Sequence, residues 1–248
     1  MISSPTPAML RAMLRLQEGM NRKINAQWLD ANYAYLRAVL VEAVEGLDHY
    51  GWKWWKAQTP DMAQLRMELI DIWHFLMSHY LVGCRGDIDG VTQAIVSEWQ
   101  SASVVTLDGR DFDLDNCDLR VLLELLAGLS AVQRTSMPLM ARLFGHAGLD
   151  GEGLFREYVS KNVLNHFRQD NGYKTGTYQK TWGGQEDNVH LVELMEQLTR
   201  LFEAAVIRTA LRHTRGRRID AALRLGIGRN TITRKVQELK LEEGSDLS

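Results

Sequence analysis

Two pairs of acidic residues have a spacing suited to metal chemistry. Glu42 and Glu45 form one pair and Glu68 and Asp71 the other, each three positions apart. On an α-helix this spacing places both carboxylates on one face, one turn apart. Two such helices packed together would gather four negative charges, which repel one another unless cations neutralise them. The pairs therefore indicate a site for Mg²⁺, which takes carboxylate oxygens, waters and substrate phosphates; the alternative is four solvated helix acids.

A cationic stretch follows at residues 161–182. Basic, amide and aromatic side chains alternate in it, namely Lys161, Asn162, Asn165, Arg168, Asn171, Tyr173, Lys174, Tyr178, Lys180 and Trp182. Asn171-Gly172 is a turn signal, and Gly176 is a second break. This composition suits a loop that closes over a phosphorylated ligand, although a solvated basic loop would look alike. Together with metal-binding acids it predicts phosphoanhydride hydrolysis, in which metals activate water and Lys and Arg stabilise the developing charge.

Helices must position these residues, because strand-like alternation is hard to find. Apolar residues recur at three- and four-residue steps, which predicts helices at 7–32, 33–50, 59–81, 88–105, 119–129, 136–149, 154–168 and 193–213. Thr59, followed by Pro60 and Asp61, is the predicted N-cap of the third helix. The expected fold class is therefore all-α, a helical bundle with a small C-terminal helix-turn-helix.

Two amides lie on the apolar stripe of the first predicted helix, at Gln17 and Asn21. A buried amide without a hydrogen-bond partner costs about 1–3 kcal/mol. Each side chain must then bond a neighbouring helix, or both must point at a ligand. Periodicity leaves both possibilities open.

Composition excludes several classes of protein. With 45% hydrophobic and 24% charged residues, the 248-residue chain has the usage of a globular protein. The first ten residues lack the basic and apolar regions of a signal peptide, and the longest apolar stretch contains Asp71, His74 and His79, so no membrane span is expected. Cys84 and Cys117 have no partners at metal-binding spacing. We therefore expect a reduced, cytoplasmic compartment.

Four blocks resemble the motifs of the dimeric, all-α dUTPases, a group of helical nucleoside triphosphate pyrophosphatases. They are LQEGMN at 16–21, VEAVEGLDHYGWKWWK at 41–56, ELIDIWHF at 68–75 and YVSKNVLNHFRQDNGYKTGTYQKTWGGQEDN at 158–188. The blocks occur in the family's order over about residues 8–205. The resemblance implies Mg²⁺-dependent hydrolysis of dUTP to dUMP and pyrophosphate by a homodimer, with two or more ions at each site.

The resemblance also implies a role for each matching residue. The metal ligands would be Glu42, Glu45, Glu68 and Asp71, and Glu45 would orient the attacking water. Asp71 would also contact the sugar 3′-hydroxyl. The phosphates would be held by Lys161, Arg168, Tyr173 and Lys180. The nucleoside or phosphates would contact Asn165 and Asn188, and uracil would contact Gln17 and Asn21, with Trp52 and Trp55 walling the base pocket.

One position departs from the family pattern. The first acidic motif usually begins with two acids, whereas this chain has Val41 there. The helical group also includes members that act on dCTP. Uracil's pairing edge alternates acceptor, donor and acceptor, and cytosine's does not, so fixed amides could discriminate between the two bases.

The C-terminal part is strongly basic. Residues 208–240 hold ten Arg and Lys against Asp220 and Glu238, a net charge of +8 in a chain whose total is −2. Such asymmetry indicates two partners of different kinds. A Gly-containing turn at 225–228 separates two predicted helices, and Asn230 or Thr231 is the predicted cap of the second.

This tail resembles the Fis-type DNA-binding domain of NtrC-like bacterial regulators over about residues 199–243. The resemblance implies binding of duplex DNA through Arg229, Asn230, Thr231, Thr233, Arg234 and Lys235. The alternative is a solvated helical hairpin that packs on the catalytic domain or aids dimerisation.

The predicted organisation is a catalytic domain at 1–205, including a variable helical insert at 84–150, and a helix-turn-helix at 206–248. Two functions fit it. One is a dUTP pyrophosphatase with an appended DNA-binding module. The other is a transcriptional regulator that senses a nucleotide, with catalysis secondary or lost. The complete set of acids and loop cations favours the enzyme.

Overall fold

A computed structural model of the chain describes residues 3–99, 101 and 103–241, without the side chains of residues 191–193, 195–199 and 202. The chain divides into two compact units, Met1–Tyr178 and Gln179–Ser248. Both are built from helices, which confirms the all-α prediction. None of the described helices combines the length and the apolarity that crossing a membrane requires. The predicted domain boundary near residue 205 stays a prediction.

Seven helices form the first unit's described part. They are α1 (Pro7–Ile24), α2 (Tyr35–Tyr50), α3 (Met62–Gly83), α4 (Ile88–Trp99), α5 (Leu119–Ala131), α6 (Met137–His146) and α7 (Gly151–Asp170). The first begins at Thr6, whose hydroxyl accepts a hydrogen bond from the Met9 N–H at 3.2 Å. It ends at Ile24 rather than continuing to residue 32, because Asn25 is extended and a short 3₁₀ turn follows at Trp28–Asp30.

The antiparallel pair α2 and α3 is central to the first unit. Asp61, and not Thr59 as predicted, caps α3, because its carboxylate accepts the N–H groups of Ala63 and Gln64 at 3.2 and 3.1 Å. The two helices approach closely at Gly46. A Cβ there would lie 3.2 Å from Leu65 Cδ1 and 3.7 Å from Glu68 Cβ. The missing side chain at Gly46 thus lets α2 lie against the face of α3 that carries Glu68.

The core draws on every helix of this unit. Trp73 of α3 is fully buried, and its ring meets Trp99 of α4 and Phe144 of α6 edge-on, with centroids 6.1 and 5.7 Å away. Leu122 and Leu126 of α5 belong to the same core. Residues 88–146, between the two groups of sequence motifs, therefore contribute buried apolar side chains next to α3.

A β-hairpin occupies part of the segment predicted to be helix 88–105. Strands β1 (Val104–Leu107) and β2 (Arg110–Asp113) pair antiparallel, with Leu107 opposite Arg110. Asp108 and Gly109 both have positive φ, as this two-residue turn requires. The helix prediction is wrong at Val104 and Val105, because strands of four residues are too short to show alternation; residues 100 and 102 lie outside the described residues.

Within its described residues, 179–241, the second unit contains a small hairpin and three helices. They are β3 (Thr181–Trp182), β4 (Gln185–Glu186), α8 (Asp187–His213), α9 (Arg218–Leu225) and α10 (Arg229–Glu238). A separate core includes Ala221, Ile232 and Val236. Gly226, left-handed with φ of 66°, ends α9, and Gly228 is the N-cap of α10 without a side-chain bond. The predicted caps Asn230 and Thr231 therefore lie inside α10.

The contact at Gly46 gives a test of the packing of α2 on α3. Gly46→Val should lower the free energy of unfolding by about 1–3 kcal/mol, because the new side chain must push Leu65 away. Gly19→Ala is the control, since a Cβ on this exposed α1 glycine would meet nothing within 4 Å. It should raise that free energy by up to about 1 kcal/mol. Chemical denaturation measures both, and an unchanged Gly46→Val protein would refute the close packing.

Candidate functional site

Three of the predicted acids converge where α2 and α3 pack. Glu42 of α2 and Glu68 and Asp71 of α3 each offer a carboxylate oxygen, and these oxygens lie within 4.8 Å of one another. Glu68 is only 8% exposed, and the other two are half-buried. The i,i+3 spacing on α3 and the packing at Gly46 together produce this cluster.

The environment of the cluster disfavours its negative charge. Burial first, then the charge of Asp71, raise the pKa of Glu42 to about 8. The same two causes, in the same order, raise the pKa of Glu68 to about 7. Glu42 and Glu68 together therefore resist full ionisation near neutral pH, and a cation at the cluster would favour it. Oxygen ligands with an excess of negative charge are the donor set that a hard divalent cation prefers.

Glu45 lies outside this group of three. It is exposed, one turn along α2 from Glu42. Its charge adds to the causes that raise the pKa of Glu42 and of Glu68, so it lies within electrostatic reach of both. An exposed carboxylate beside a cation site can contact water as well as metal.

Two basic side chains border the cluster. Lys161 of α7 is 2% exposed, and its Nζ lies 2.8 Å from Asp71 Oδ2. His49 Nε2, at the end of α2, lies 3.3 Å from Glu68 Oε1. The structure thus joins Lys161, predicted to bind phosphate, to one of the predicted metal ligands. The sequence patterns did not single out His49.

Gln17 and Asn21 are buried inside the first unit, 4% and 5% exposed. The Gln17 Nε2 group donates to Asn21 Oδ1 at 3.0 Å, and both amide nitrogens donate to Ser78 of α3. The sequence left two possibilities open for these amides, bonds to a neighbouring helix or contact with a ligand. The hydrogen bonds to Ser78 are of the first kind. Contact with uracil stays a prediction. Ser78 itself was missed, because only the fold brings it next to α1.

The end of α7 and the following turn place part of the cationic stretch. Arg168 is buried, its Nη1 donates to Asn165 Oδ1 at 3.4 Å, and its guanidinium lies 5.9 Å from the centre of the Tyr173 ring. Gly172 has φ of 91°, and its carbonyl accepts the Thr177 N–H at 3.0 Å. The predicted turn is therefore present, and it holds Tyr173 next to Arg168. Lys174 Nζ donates to the Ile24 carbonyl at 2.9 Å.

The tryptophans after α2 form an exposed aromatic group. Trp55 meets the edges of Trp52 and Trp54, with ring centroids 5.3 and 5.4 Å apart. Trp54 is 90% exposed, and Trp52 and Trp55 are exposed as well. Trp52 Nε1 donates to Asp48 Oδ1 at 2.9 Å, which ties the group to α2. Flat apolar faces of this kind can stack on a base.

The remaining predicted ligands, Lys180 and Asn188, belong to the second unit. The Lys180 carbonyl accepts the Asp187 N–H at 2.8 Å, and Asn188 lies in the first turn of α8. Their contacts with a nucleotide stay predictions.

The six predicted DNA-binding residues all lie on α10. Arg229, Asn230 and Arg234 are exposed, whereas Thr231, Thr233 and Lys235 are half-buried. Lys235 Nζ contacts both carboxylate oxygens of Glu203 of α8, at 2.6 and 2.8 Å. Arg234 pairs with Glu238 at 2.8 Å. Arg229 and Asn230 therefore extend from the start of α10, and Lys235 links α10 to α8.

Comparison with known proteins gives two family matches. Residues 9–173 match the family described as dUTPase, and residues 199–239 match the family described as bacterial regulatory protein, Fis family. The DNA-binding transcriptional regulators NtrC of Klebsiella pneumoniae and of Escherichia coli strain K12 are each 55% identical over 40 residues. That similarity covers 16% of this chain and 8% of each regulator. Both resemblances inferred from the sequence motifs are confirmed.

The raised pKa values of Glu42 and Glu68 predict how pH acts on the metal-free protein. Above the ordinary carboxyl pKa of 4.5 the unfolded chain releases protons that the folded chain keeps up to about pH 7 and 8. The free energy of unfolding should therefore fall as pH rises through this window. Glu42→Gln removes one of these carboxylates. In EDTA at about pH 8 it should raise the Tm by about 2–4 °C, and much less at about pH 5.

Glu124→Gln, an exposed change on α5, is the control and should leave both Tm values unchanged. Differential scanning calorimetry at the two pH values measures the effect. A Glu42→Gln protein that is less stable than the wild type at the higher pH would contradict the inferred destabilising effect of the half-buried Glu42 charge.

Proposed function

Because the chain belongs to the dUTPase family through residues 9–173, we propose that its first unit carries a nucleotide pyrophosphatase that hydrolyses dUTP to dUMP and pyrophosphate with Mg²⁺. One observation carries this proposal: Glu42, Glu68 and Asp71 offer oxygens within 4.8 Å of one another beside the buried ammonium of Lys161. Carboxylates next to a cationic side chain are what a metal-bound triphosphate needs around it.

The residues of the cluster fit Mg²⁺. Their donor atoms are all carboxylate oxygens, and burial together with the charge of Asp71 raises the pKa of Glu42 and of Glu68, so a cation would favour the ionised forms of these two side chains. Glu42, Glu68 and Asp71 would hold the ions, with Glu45 completing the set. When bound, Mg²⁺ neutralises charge on the phosphates and makes a water molecule easier to deprotonate.

The side chains of the protein have separate roles in the reaction. Glu45, being exposed, orients the attacking water and accepts its proton. Lys161 stabilises negative charge near Asp71, and the Arg168 guanidinium does the same for the phosphates from the end of α7. Tyr173 and Asn165 add hydrogen bonds to the phosphates or the nucleoside. Asp71 accepts the sugar 3′-hydroxyl, and Trp52 and Trp55 cover the base.

The base is selected by the buried amides of α1, Gln17 and Asn21. Amides fixed to match uracil leave a polar group unpaired when cytosine enters, which lowers transition-state binding for dCTP. Activity on dCTP by a related helical pyrophosphatase is the alternative within this reaction class.

A second function is proposed for the second unit. Its match to the Fis family and the exposed Arg229 and Arg234 on α10 support binding of duplex DNA, with the two-fold symmetry of a homodimer. Phosphate contacts by these arginines make the affinity depend on salt. If the first unit bound nucleotide without hydrolysing it, the chain would be a nucleotide-sensing regulator.

The enzymatic proposal predicts the result of a nucleotide panel. With Mg²⁺, the protein should release pyrophosphate from dUTP, and EDTA should abolish the activity. Glu45→Gln should lower kcat by about 100-fold or more with little change in KM, since a general base contributes on that scale. Glu124→Gln on α5 should match the wild type.

Pyrophosphate release and the nucleoside monophosphate product can be followed together by ion-exchange chromatography. Binding of dUTP without turnover of any nucleoside triphosphate would exclude the enzyme and favour the regulator.

The DNA proposal predicts different effects for two cations of α10. Arg229→Ala should weaken binding to duplex DNA and reduce the slope of log K against log salt by about one, because one phosphate contact is lost. Lys235→Ala should change the slope less, since its ammonium is paired with Glu203. Fluorescence anisotropy over a salt series measures both slopes. Equal slopes for all three proteins would argue against α10 as the DNA-contacting helix.

A further inference from the structure

The segment that carries the exposed tryptophans contacts a helix to which the sequence motifs assign no role. Residues 51–58, between α2 and α3, are called the tryptophan loop below. Arg120, in the first turn of α5, donates from its Nε to the Gly51 carbonyl at 2.6 Å. Its guanidinium lies 4.9 Å from the centre of the Tyr50 ring. One side chain of α5 therefore contacts both residues at which α2 passes into the loop.

Gly51 is the residue at which the chain leaves α2. It is buried and has φ of 91°, a conformation that favours glycine. Its N–H donates to the Leu47 carbonyl at 3.0 Å, and its carbonyl accepts from Arg120. These two bonds hold the peptide planes before and after the Gly51 Cα, and the rotation between those planes is the φ and ψ of Gly51. Arg120 therefore helps to set the direction in which Trp52 follows the helix.

Two contacts within the loop depend on that direction. The Lys53 N–H donates to Gln58 Oε1 at 2.6 Å, and Trp52 Nε1 donates to Asp48 Oδ1 at 2.9 Å. A Cβ on Gly51 would lie 2.9 Å from Gln58 Cβ, so Gln58 lies directly against the glycine. The first contact thus places Gln58 on Gly51, and the second spans it. Both change if Gly51 changes its conformation.

The charge of Arg120 suits its position at the end of a helix. The last carbonyl groups of α2 carry partial negative charge, which a guanidinium complements. Arg120 is exposed, so its contact with Gly51 is a surface hydrogen bond from a charged group, and its removal leaves no buried charge unpaired. We therefore expect its loss to change the path of the loop more than the stability of the first unit.

We propose that Arg120 is a positioning residue for substrate binding, which fixes the tryptophan loop relative to the acidic cluster. This inference rests on the proposed function, in which Trp52 and Trp55 cover the base. Arg120 acts through Gly51 and makes no contact with the nucleotide. It adds a residue from the segment between the two groups of sequence motifs to those on which substrate affinity depends.

The effect of Arg120 falls on binding and not on the chemical step. Glu42 and Glu45 lie within the regular part of α2, where the packing at Gly46 holds them against α3. The tryptophans follow Gly51 and depend on its conformation. A ring that is displaced from the base loses stacking in the ground state and the transition state alike, so KM rises while kcat is unchanged.

Two substitutions separate the hydrogen bond of Arg120 from its charge. Methionine and glutamine both match arginine in length as far as Nε, where methionine has a methyl group and glutamine has an N–H donor. Arg120→Met should raise the KM for dUTP about tenfold, with kcat within about twofold of the wild type, since a hydrogen bond from a charged group contributes on that scale. Arg120→Gln should keep KM within about threefold of the wild type, because it retains the donor.

Arg134→Met is the matched control. Arg134 is also exposed, and its Nη1 donates to the Thr106 carbonyl at 2.9 Å, outside the tryptophan loop. Its loss removes the same charge and the same kind of bond. KM and kcat of this variant should equal those of the wild type.

Hydrogen exchange followed by mass spectrometry gives a readout that needs no nucleotide. The Lys53 N–H is bonded to Gln58, so Arg120→Met should speed exchange in the peptide that contains Lys53 and leave the peptides of α3 unchanged. Affinity for dUMP, measured by calorimetry, should fall by the same factor as the KM for dUTP rises.

The outcomes separate this inference from the proposed function. A wild-type KM for Arg120→Met overturns the positioning role, and so do equal losses for the methionine and glutamine variants, since charge alone would then account for them. A fall in kcat together with the Tm would reduce Arg120 to a stabilising residue. A wild-type protein that binds dUMP without turnover of any triphosphate overturns the enzymatic proposal alone, and the dUMP affinities of the two variants then decide the role of Arg120. A wild-type protein that binds no nucleotide overturns both.

Discussion

Repulsion among carboxylates that are packed too closely to be solvated is the constraint on which the first unit's chemistry depends. Glu42, Glu68 and Asp71 are brought together because α2 can approach α3 at Gly46, and the hydrophobic core behind α3 maintains that approach. The Lys161 ammonium offsets part of the charge. The hydrophobic core thus holds together a cluster that repulsion would otherwise separate, and a divalent cation bound there would relieve that repulsion.

Spacing predicted which acids share a helix face better than it predicted the partners of each side chain. An i,i+3 pair shares a helix face whatever the fold, so Glu68 and Asp71 could be recognised directly. The distance from Glu42 to them depends on the register of two helices, which Gly46 and Leu65 set and which periodicity does not contain. The bonds of Gln17 to Ser78 and Tyr158 span 61 and 141 positions, so the stripe predicted burial and left the partners unknown.

Short sequence motifs at turns and helix caps predicted some element boundaries and missed others. Gly226 predicted where α9 ends, since its left-handed backbone conformation favours glycine, whereas the cap of α10 was placed too late, at Asn230 or Thr231. Asp108-Gly109 is an equally specific signal for a β-hairpin turn. The four-residue strands beside it are too short to show the alternating pattern that would identify them as strands. Thr59 and Asp61 are both good caps, and only the path of the chain decides between them.

The ion pair between Lys235 and Glu203 has a consequence for how ionic strength acts on the second unit. Added salt screens an intramolecular attraction that seats α10 on α8, while it competes with any polyanion for Arg229 and Arg234. A salt titration of this unit therefore reports two processes at once, one within the protein and one at its surface. Counting phosphate contacts from such a titration requires the internal contribution to be subtracted first.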